Sequence, residues 1–250
     1  MAFTNILITG ASSGIGAALA RVYAREGTRL FLWGRDTARL DVVASVARAR
    51  GAFVETRIFD ITDFSLLNLV LESLDGEYPL DLALLNAGLG GSLAPDRVGQ
   101  EPQAAEKMAG VNFTAPILTA NLISDLMARR GKGQIVLIGS VAASFPLPMA
   151  PLYSASKAGL AMYAEALGLR LKRFGVGVTL VSPGFIDTPM SQGLKEPRPF
   201  LISADKAAAI IMRKVTRRAR HIILPWQFSV ILAVSKVVPG FILRTALAAF

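Results

Sequence analysis

Short, mostly apolar runs alternate with longer amphipathic stretches along almost the whole of this chain. The runs are "NILIT", "LFLW", "FVETRIF", "LDLALLN", "QIVLIGS", "VGVTLVS" and "HIIL". Helical spacing fills the gaps: "IGAALARVYAREG" with a stop at Gly27, "DTARLDVVASVARARG", "DFSLLNLVLESL", then Gln103 to Arg130, Tyr153 to Phe174 and Ala204 to Thr216. Strands this apolar are buried on both faces, as in a parallel sheet covered by helices. Parallel strands need crossovers, and right-handed crossovers build a doubly wound sheet. The expectation is one Rossmann-like α/β domain over residues 1–224, with about seven strands and helices on both faces. No internal repeat, low-complexity tract or linker divides it.

Composition narrows the chemistry. The chain has 250 residues, 52% of them hydrophobic, enough for a sizeable core. It has no cysteine and one histidine, His221. Disulfides, thiolate metal sites and multi-His metal sites are excluded, and no metal is expected. A formal charge of +9 suggests phosphate or another anion as a partner. The arginines are dispersed and no aromatic platform accompanies them, which argues against nucleic acid. "MAFTNILITG" has neither a charged leader nor a long apolar run, so no signal peptide is expected.

"TGASSGIG" joins the first strand to the first helix. Gly10, Gly14 and Gly16 lack side chains where the backbone turns and must approach a ligand closely. The helix start offers unpaired N–H groups and the positive end of its dipole, a seat for pyrophosphate. The spacing TGxxxGIG resembles that of the short-chain dehydrogenase/reductase family. The resemblance runs from about Asn5 to Leu224 and is carried by an ordered set of motifs. "NAG" (Asn86, Ala87, Gly88) follows the fourth strand, "VNFTAP" contains Asn112, and Ser140 ends the fifth strand. Tyr153 and Lys157 form YxxxK, and "SPGFIDTPM" follows the sixth strand.

The resemblance implies an oxidoreductase that moves hydride between nicotinamide C4 and a carbonyl or alcohol carbon. The implied catalytic residues are Asn112, Ser140, Tyr153 and Lys157. The implied cofactor residues are Gly10, Ser12, Ser13, Gly14, Ile15, Gly16 and Arg35, then Asp60 and Ile61 at the adenine and Asn86, Ala87 and Gly88 beside its ribose. Tyr153 and Lys157 join them at the nicotinamide, with Pro183, Gly184, Ile186 and Thr188. Residues Tyr153 and Lys157 share a helix face at i and i+4. A cation there is expected to lower the phenol from its ordinary pKa of ~10, making it a usable acid or base.

At the end of the second strand, "FLWGRD" has Gly34 and Arg35 where NAD enzymes place a carboxylate. A guanidinium suits a 2′-phosphate, with Arg39 to assist. NADP(H) is therefore preferred, and Asp36 is read as a helix-start residue. If Asp36 reached the ribose instead, NAD(H) would be favoured.

The substrate loops are apolar: Phe145 and Leu147 lie between Ser140 and Tyr153, and Phe185 and Met190 flank the last motif. With Ser140 and Tyr153 they form the expected substrate site, for a small apolar ketone or secondary alcohol. The alternative is a lid that merely packs on the body. "MSQGLKEPRPF" reads as a mobile lid. Residues 225–250 form an apolar helical extension, read as a pocket cap, a subunit interface or a membrane-surface contact helped by the basic run before it. A homodimer or homotetramer through the long helices is implied by the resemblance. A cytoplasmic location is expected, with membrane association through the tail as the alternative. The rival functions are a nucleotide-binding sensor and a membrane-surface protein keeping the fold with little turnover.

Overall fold

A computed structural model describes residues 3–93, 97–194, 197–235 and 237–238. Elements follow one another as β1 (Asn5–Thr9), α1 (Gly14–Tyr23), β2 (Arg29–Gly34), α2 (Thr37–Ala49), β3 (Phe53–Ile58), α3 (Phe64–Glu77) and β4 (Leu82–Leu85). Then come α4 (Pro102–Ala109), α5 (Ala115–Arg130), β5 (Gly133–Ile138), α6 (Pro151–Leu171) and β6 (Val176–Pro183). The last are β7 (Ile186–Asp187), α7 (Pro189–Gln192), β8 (Ile202–Ser203), α8 (Ala204–Thr216), β9 (His221–Leu224) and α9 (Gln227–Ser235).

The main sheet has seven parallel strands in the order β3-β2-β1-β4-β5-β6-β9. The order reverses between β1 and β4, which opens a crevice at the strand C-termini. Alternation along β1 shows how the layers are built. Ile6 and Ile8 join one core with α1, α2 and α8, while Leu7 joins the other with α3, α5 and α6. All three side chains are fully buried. Each such aliphatic side chain contributes about 1.5–3 kcal/mol relative to exposure.

Two long helical regions differ in detail from the spacing. The region from Gln103 to Arg130 is α4 and α5 joined by a π-helical turn, Gly110–Thr114. An inserted residue of this kind reorients the side chains around it, and Asn112 sits within it. The helix expected from Tyr153 begins two residues earlier, at Pro151, whose fixed φ suits a first helical position. Its end, Lys172–Phe174, is a 3-10 turn.

The segment expected to be a lid, residues 190–200, is flanked by β7 and β8, which pair in a separate two-stranded sheet; it begins within α7, capped by a reciprocal Thr188–Ser191 box, and Lys195 and Glu196 lie outside the described residues. Of the apolar extension, α9 is described, whereas Lys236 and residues 239–250 lie outside the described residues. Arg217, Arg218 and Arg220 precede β9 and α9 follows it, so the basic run and α9 stand at opposite ends of that strand. No described helix is long and apolar enough to cross a membrane.

Candidate active site

The crevice at the strand C-termini contains a cavity of ≈ 580 Å³. At its floor the chain leaves β1, turns and enters α1. Gly10 (φ +64°) and Gly14 (φ +53°) take left-handed conformations that favour glycine. A Cβ on Gly10 would lie 2.8 Å from Ala87 Cα, so the turn and the Asn86–Gly88 segment touch backbone to backbone. The Thr9 hydroxyl accepts from the N–H groups of Asn86 and Ala87, both at 3.0 Å. Asn86 Nδ2 in return donates to the Thr9 and Gly10 carbonyls.

Ser13 occupies the N-cap of α1 but makes no side-chain capping bond. The first-turn N–H groups are thus left to a ligand, as a pyrophosphate would require. This donor set fits a dinucleotide. Gly16 does something else: it is not on the cavity wall, and a Cβ there would fall 2.2 Å from the Gly10 carbonyl oxygen. It lets the helix pack closely under the turn.

At the other end of the crevice lie Gly34, Arg35, Asp36, Arg39, Asp60 and Ile61. Asp36 caps α2, accepting from the Arg39 N–H at 2.9 Å and from its guanidinium at 2.6 Å. Those bonds hold its carboxyl below the ordinary carboxylate range. The same contacts turn the carboxylate toward Arg39 at the start of α2. Asp60 accepts from the Thr62 N–H and hydroxyl, which lower its pKa, and stands 3.4 Å from Arg35. Arg35 is half-exposed and held beside the crevice by that weak pair.

The centre of the crevice brings Ser140, Tyr153 and Lys157 together. Ser140 starts a 3-10 turn after β5, its hydroxyl accepting from the Ala142 N–H at 3.1 Å. Tyr153 and Lys157 come from the first two turns of α6. Lys157 is buried, donates to the Ile138 carbonyl at 2.9 Å, and sits 5.9 Å from the Tyr153 ring centre. Burial pushes its ammonium down from 10.5 to about 8.

Here one expectation is corrected. Burial raises the Tyr153 pKa above 10.0, and the nearby Ser140 hydroxyl only partly opposes the rise. The Lys157 ammonium donates to the Ile138 carbonyl, and desolvation of the phenolate dominates at Tyr153.

Asn112 is fully buried and is not on the cavity wall. The Leu89 N–H donates to its Oδ1 at 2.7 Å, and its Nδ2 donates to the Leu89 carbonyl at 2.8 Å. It therefore pins the segment after Gly88. The position of a Cβ on Gly88 would be 3.5 Å from Asn112 Oδ1 and 3.6 Å from Lys157 Nζ, which shows how closely the three gather.

Beyond Tyr153 the wall is apolar, with Phe145, Leu147, Phe185 and Met190 among its residues. Met190 lies over Gly90, where a Cβ would meet its Cγ at 2.7 Å. Pro183, Gly184, Ile186 and Thr188 reach the cavity from the chain after β6, and Ser12 and Ile15 from the floor. Leu89, Leu194 and Phe228 also line the wall and were not singled out as site residues. Leu89 follows "NAG", Leu194 lies in the segment read as a lid, and Phe228 lies within the tail for which a pocket cap was one reading. No group of His, Asp and Glu able to hold a metal occurs among the described residues.

Comparison with known proteins agrees with this geometry. The family profile described as short chain dehydrogenase matches residues 4–199. An uncharacterised oxidoreductase of Myxococcus xanthus is 33% identical over 241 residues, covering 96% of this chain and 94% of the relative. A bulky-bulky ketone specific alcohol dehydrogenase from Comamonas testosteroni superposes with a TM-score of 0.80 at 29% identity, covering 96% of each chain. A short-chain dehydrogenase from Sphingobium yanoikuyae, solved in complex with NADPH, gives 0.81 at 28% identity, over 95% of this chain and 96% of that one. With its seven-stranded parallel sheet and its match over most of its length, this chain is an oxidoreductase belonging to the short-chain dehydrogenase family.

Proposed function

We propose that the protein is an NADP(H)-preferring carbonyl reductase and alcohol dehydrogenase acting on apolar ketones and secondary alcohols. The observation that carries this reading is the placing of Ser140, Tyr153 and Lys157. They stand where a glycine-built phosphate seat meets an apolar cavity wall. The nearby Arg35 guanidinium, and the Asp36 carboxylate neutralised by Arg39, support a 2′-phosphate over a bare ribose. One solved relative is in complex with NADPH, and another is named for bulky-bulky ketones.

NADPH, when bound, supplies hydride to the carbonyl carbon. The protein's own residues handle the oxygen. Tyr153, protonated because burial disfavours its phenolate, gives its proton to the oxygen as negative charge develops there. The Ser140 hydroxyl donates to the same oxygen and stabilises that charge. Lys157 keeps a cation one helical turn from the resulting phenolate, and its pKa of about 8 lets it pass protons near neutral pH. Asn112 is a positioning residue, holding the Leu89 backbone and, through it, the wall beside Lys157. Alcohol oxidation reverses these steps.

The test is turnover of a graded ketone panel with NADPH against NADH, for wild type and Tyr153→Phe. The variant should lose about 10²–10⁴-fold in kcat while its NADPH affinity stays unchanged. Equal turnover by the two proteins sinks the assignment of Tyr153. Tight NADPH binding with no ketone or alcohol turned over by wild type would favour a sensor instead.

We also infer a homo-oligomer packed through α5 and α6, supported by Met162 and Leu169, which are 69% and 67% exposed on α6. Light scattering of the Met162→Glu/Leu169→Glu double variant tests it. An unchanged mass would remove these residues from the interface.

A further inference from the structure

The apolar end of the cavity is closed by a residue from outside the strand-end motifs. Phe228, on α9, is 7% exposed and forms part of the wall. Its ring is gripped by aromatic residues from two other segments. Phe185, between β6 and β7, lies 6.2 Å away centre to centre, and Phe200, just before β8, meets it edge-on at 5.8 Å. Such tilted and edge-on pairs suit the ring quadrupoles.

Two backbone features make room for this cluster. A Cβ on Gly184 would lie 2.2 Å from the Phe228 ring, so the ring packs directly on the main chain. The Gly184 N–H donates to the Leu224 carbonyl at 2.7 Å, which ties the end of β6 to the end of β9 just before α9 begins. Phe200 has φ +57°, a left-handed conformation costly for a bulky side chain. Its contact with Phe228 is one that can hold it there.

We infer that Phe228 is the specificity-determining residue of the apolar pocket, setting an upper limit on the bulk of the ketone substituent admitted beside Phe185. The inference rests on the ketone reading above. Its physical basis is that a close-packed wall yields little. An added methylene or ring that does not fit is rejected, whereas one that fills space gains affinity. Because Phe228 meets Phe185 and Gly184 directly, it also braces the chain that leads into β7.

The test compares wild type with Phe228→Ala and Phe228→Leu, the second keeping an apolar group in the core should the first unfold. Methyl ketones and ketones with two bulky substituents are reduced with NADPH, and kcat/KM is taken for each. The bulky-to-small ratio should rise at least about tenfold in Phe228→Ala and by less in Phe228→Leu. The same ketones are titrated calorimetrically into protein loaded with NADP⁺, which cannot reduce them, so binding is read without turnover.

A ratio that moves by less than about twofold in both measurements, in a folded variant, overturns the inference. If wild type reduces no ketone, the ketone reading fails, yet the binding ratio still decides whether Phe228 limits bulk. Binding of no ketone by any form overturns both.

Discussion

Replacing Lys157 by Met should separate the stability of this protein from its activity. Lys157 is 5% exposed, and its ammonium donates to the Ile138 carbonyl. Burial lowers its pKa from 10.5 to about 8. At about 1.4 kcal/mol per pH unit, keeping it charged in the folded state costs on the order of 3 kcal/mol at neutral pH.

Methionine has similar length and no charge, but it leaves the Ile138 carbonyl without that donor, at a cost of about 1–3 kcal/mol. At pH 7 the variant should therefore equal or exceed wild type in stability, by up to about 2 kcal/mol. The pH dependence is the sharper mark. Between about 8 and 10.5 the unfolded chain holds a proton on Lys157 that the folded protein has released, so wild-type stability rises with pH across that window. Urea unfolding of ligand-free wild type and Lys157→Met from pH 7 to pH 10.5 measures the difference, in which all other titrations cancel. Wild type should gain on the variant by on the order of 3 kcal/mol across the range. A difference that stays flat, or a gain that runs the other way, would show that no buried charge is being relieved. Ketone reduction should be lost in the variant throughout.

Other consequences can be checked directly. Reduction by wild type should fall as pH rises through about 8, where Lys157 loses its charge; Lys157→Arg, if it folds, should carry that fall to higher pH, and an unmoved profile would assign it elsewhere. Arg35→Ala should weaken NADPH binding by about tenfold, the scale of one lost charge-assisted bond, and leave NADH binding unchanged; equal losses for both would remove the 2′-phosphate role. Gly16→Ala sets a methyl 2.2 Å from the Gly10 carbonyl oxygen, and should lower stability by about 1–3 kcal/mol or more. A melting temperature equal to wild type would show that the helix can shift to accept it.

The parallel sheet, the glycine turn after β1 and the Tyr153–Lys157 spacing were all legible in the chain, because each is a local pattern. Apolar runs between helical stretches have one economical arrangement, and Gly10 and Gly14 stand where φ must be positive. Asp36 was legible for the same reason, since a helix cap is made with residues three positions away.

What the residues do to one another across the fold was not. Asn112 could be named from its motif, but its two bonds to Leu89 depend on a π-helical turn that spacing does not announce. Gly16 matched the pattern of a ligand-touching glycine, yet the carbonyl it must avoid belongs to the protein. The direction of the Tyr153 shift depends on how much water burial removes, a sum over β5, α6 and the loops between them. Phe228 became a wall residue only because β9 lies beside β6 and delivers α9 to the mouth of the crevice. Side-chain type and spacing prescribe which groups can meet, whereas desolvation and contact at long chain separation exist only once the sheet has been assembled.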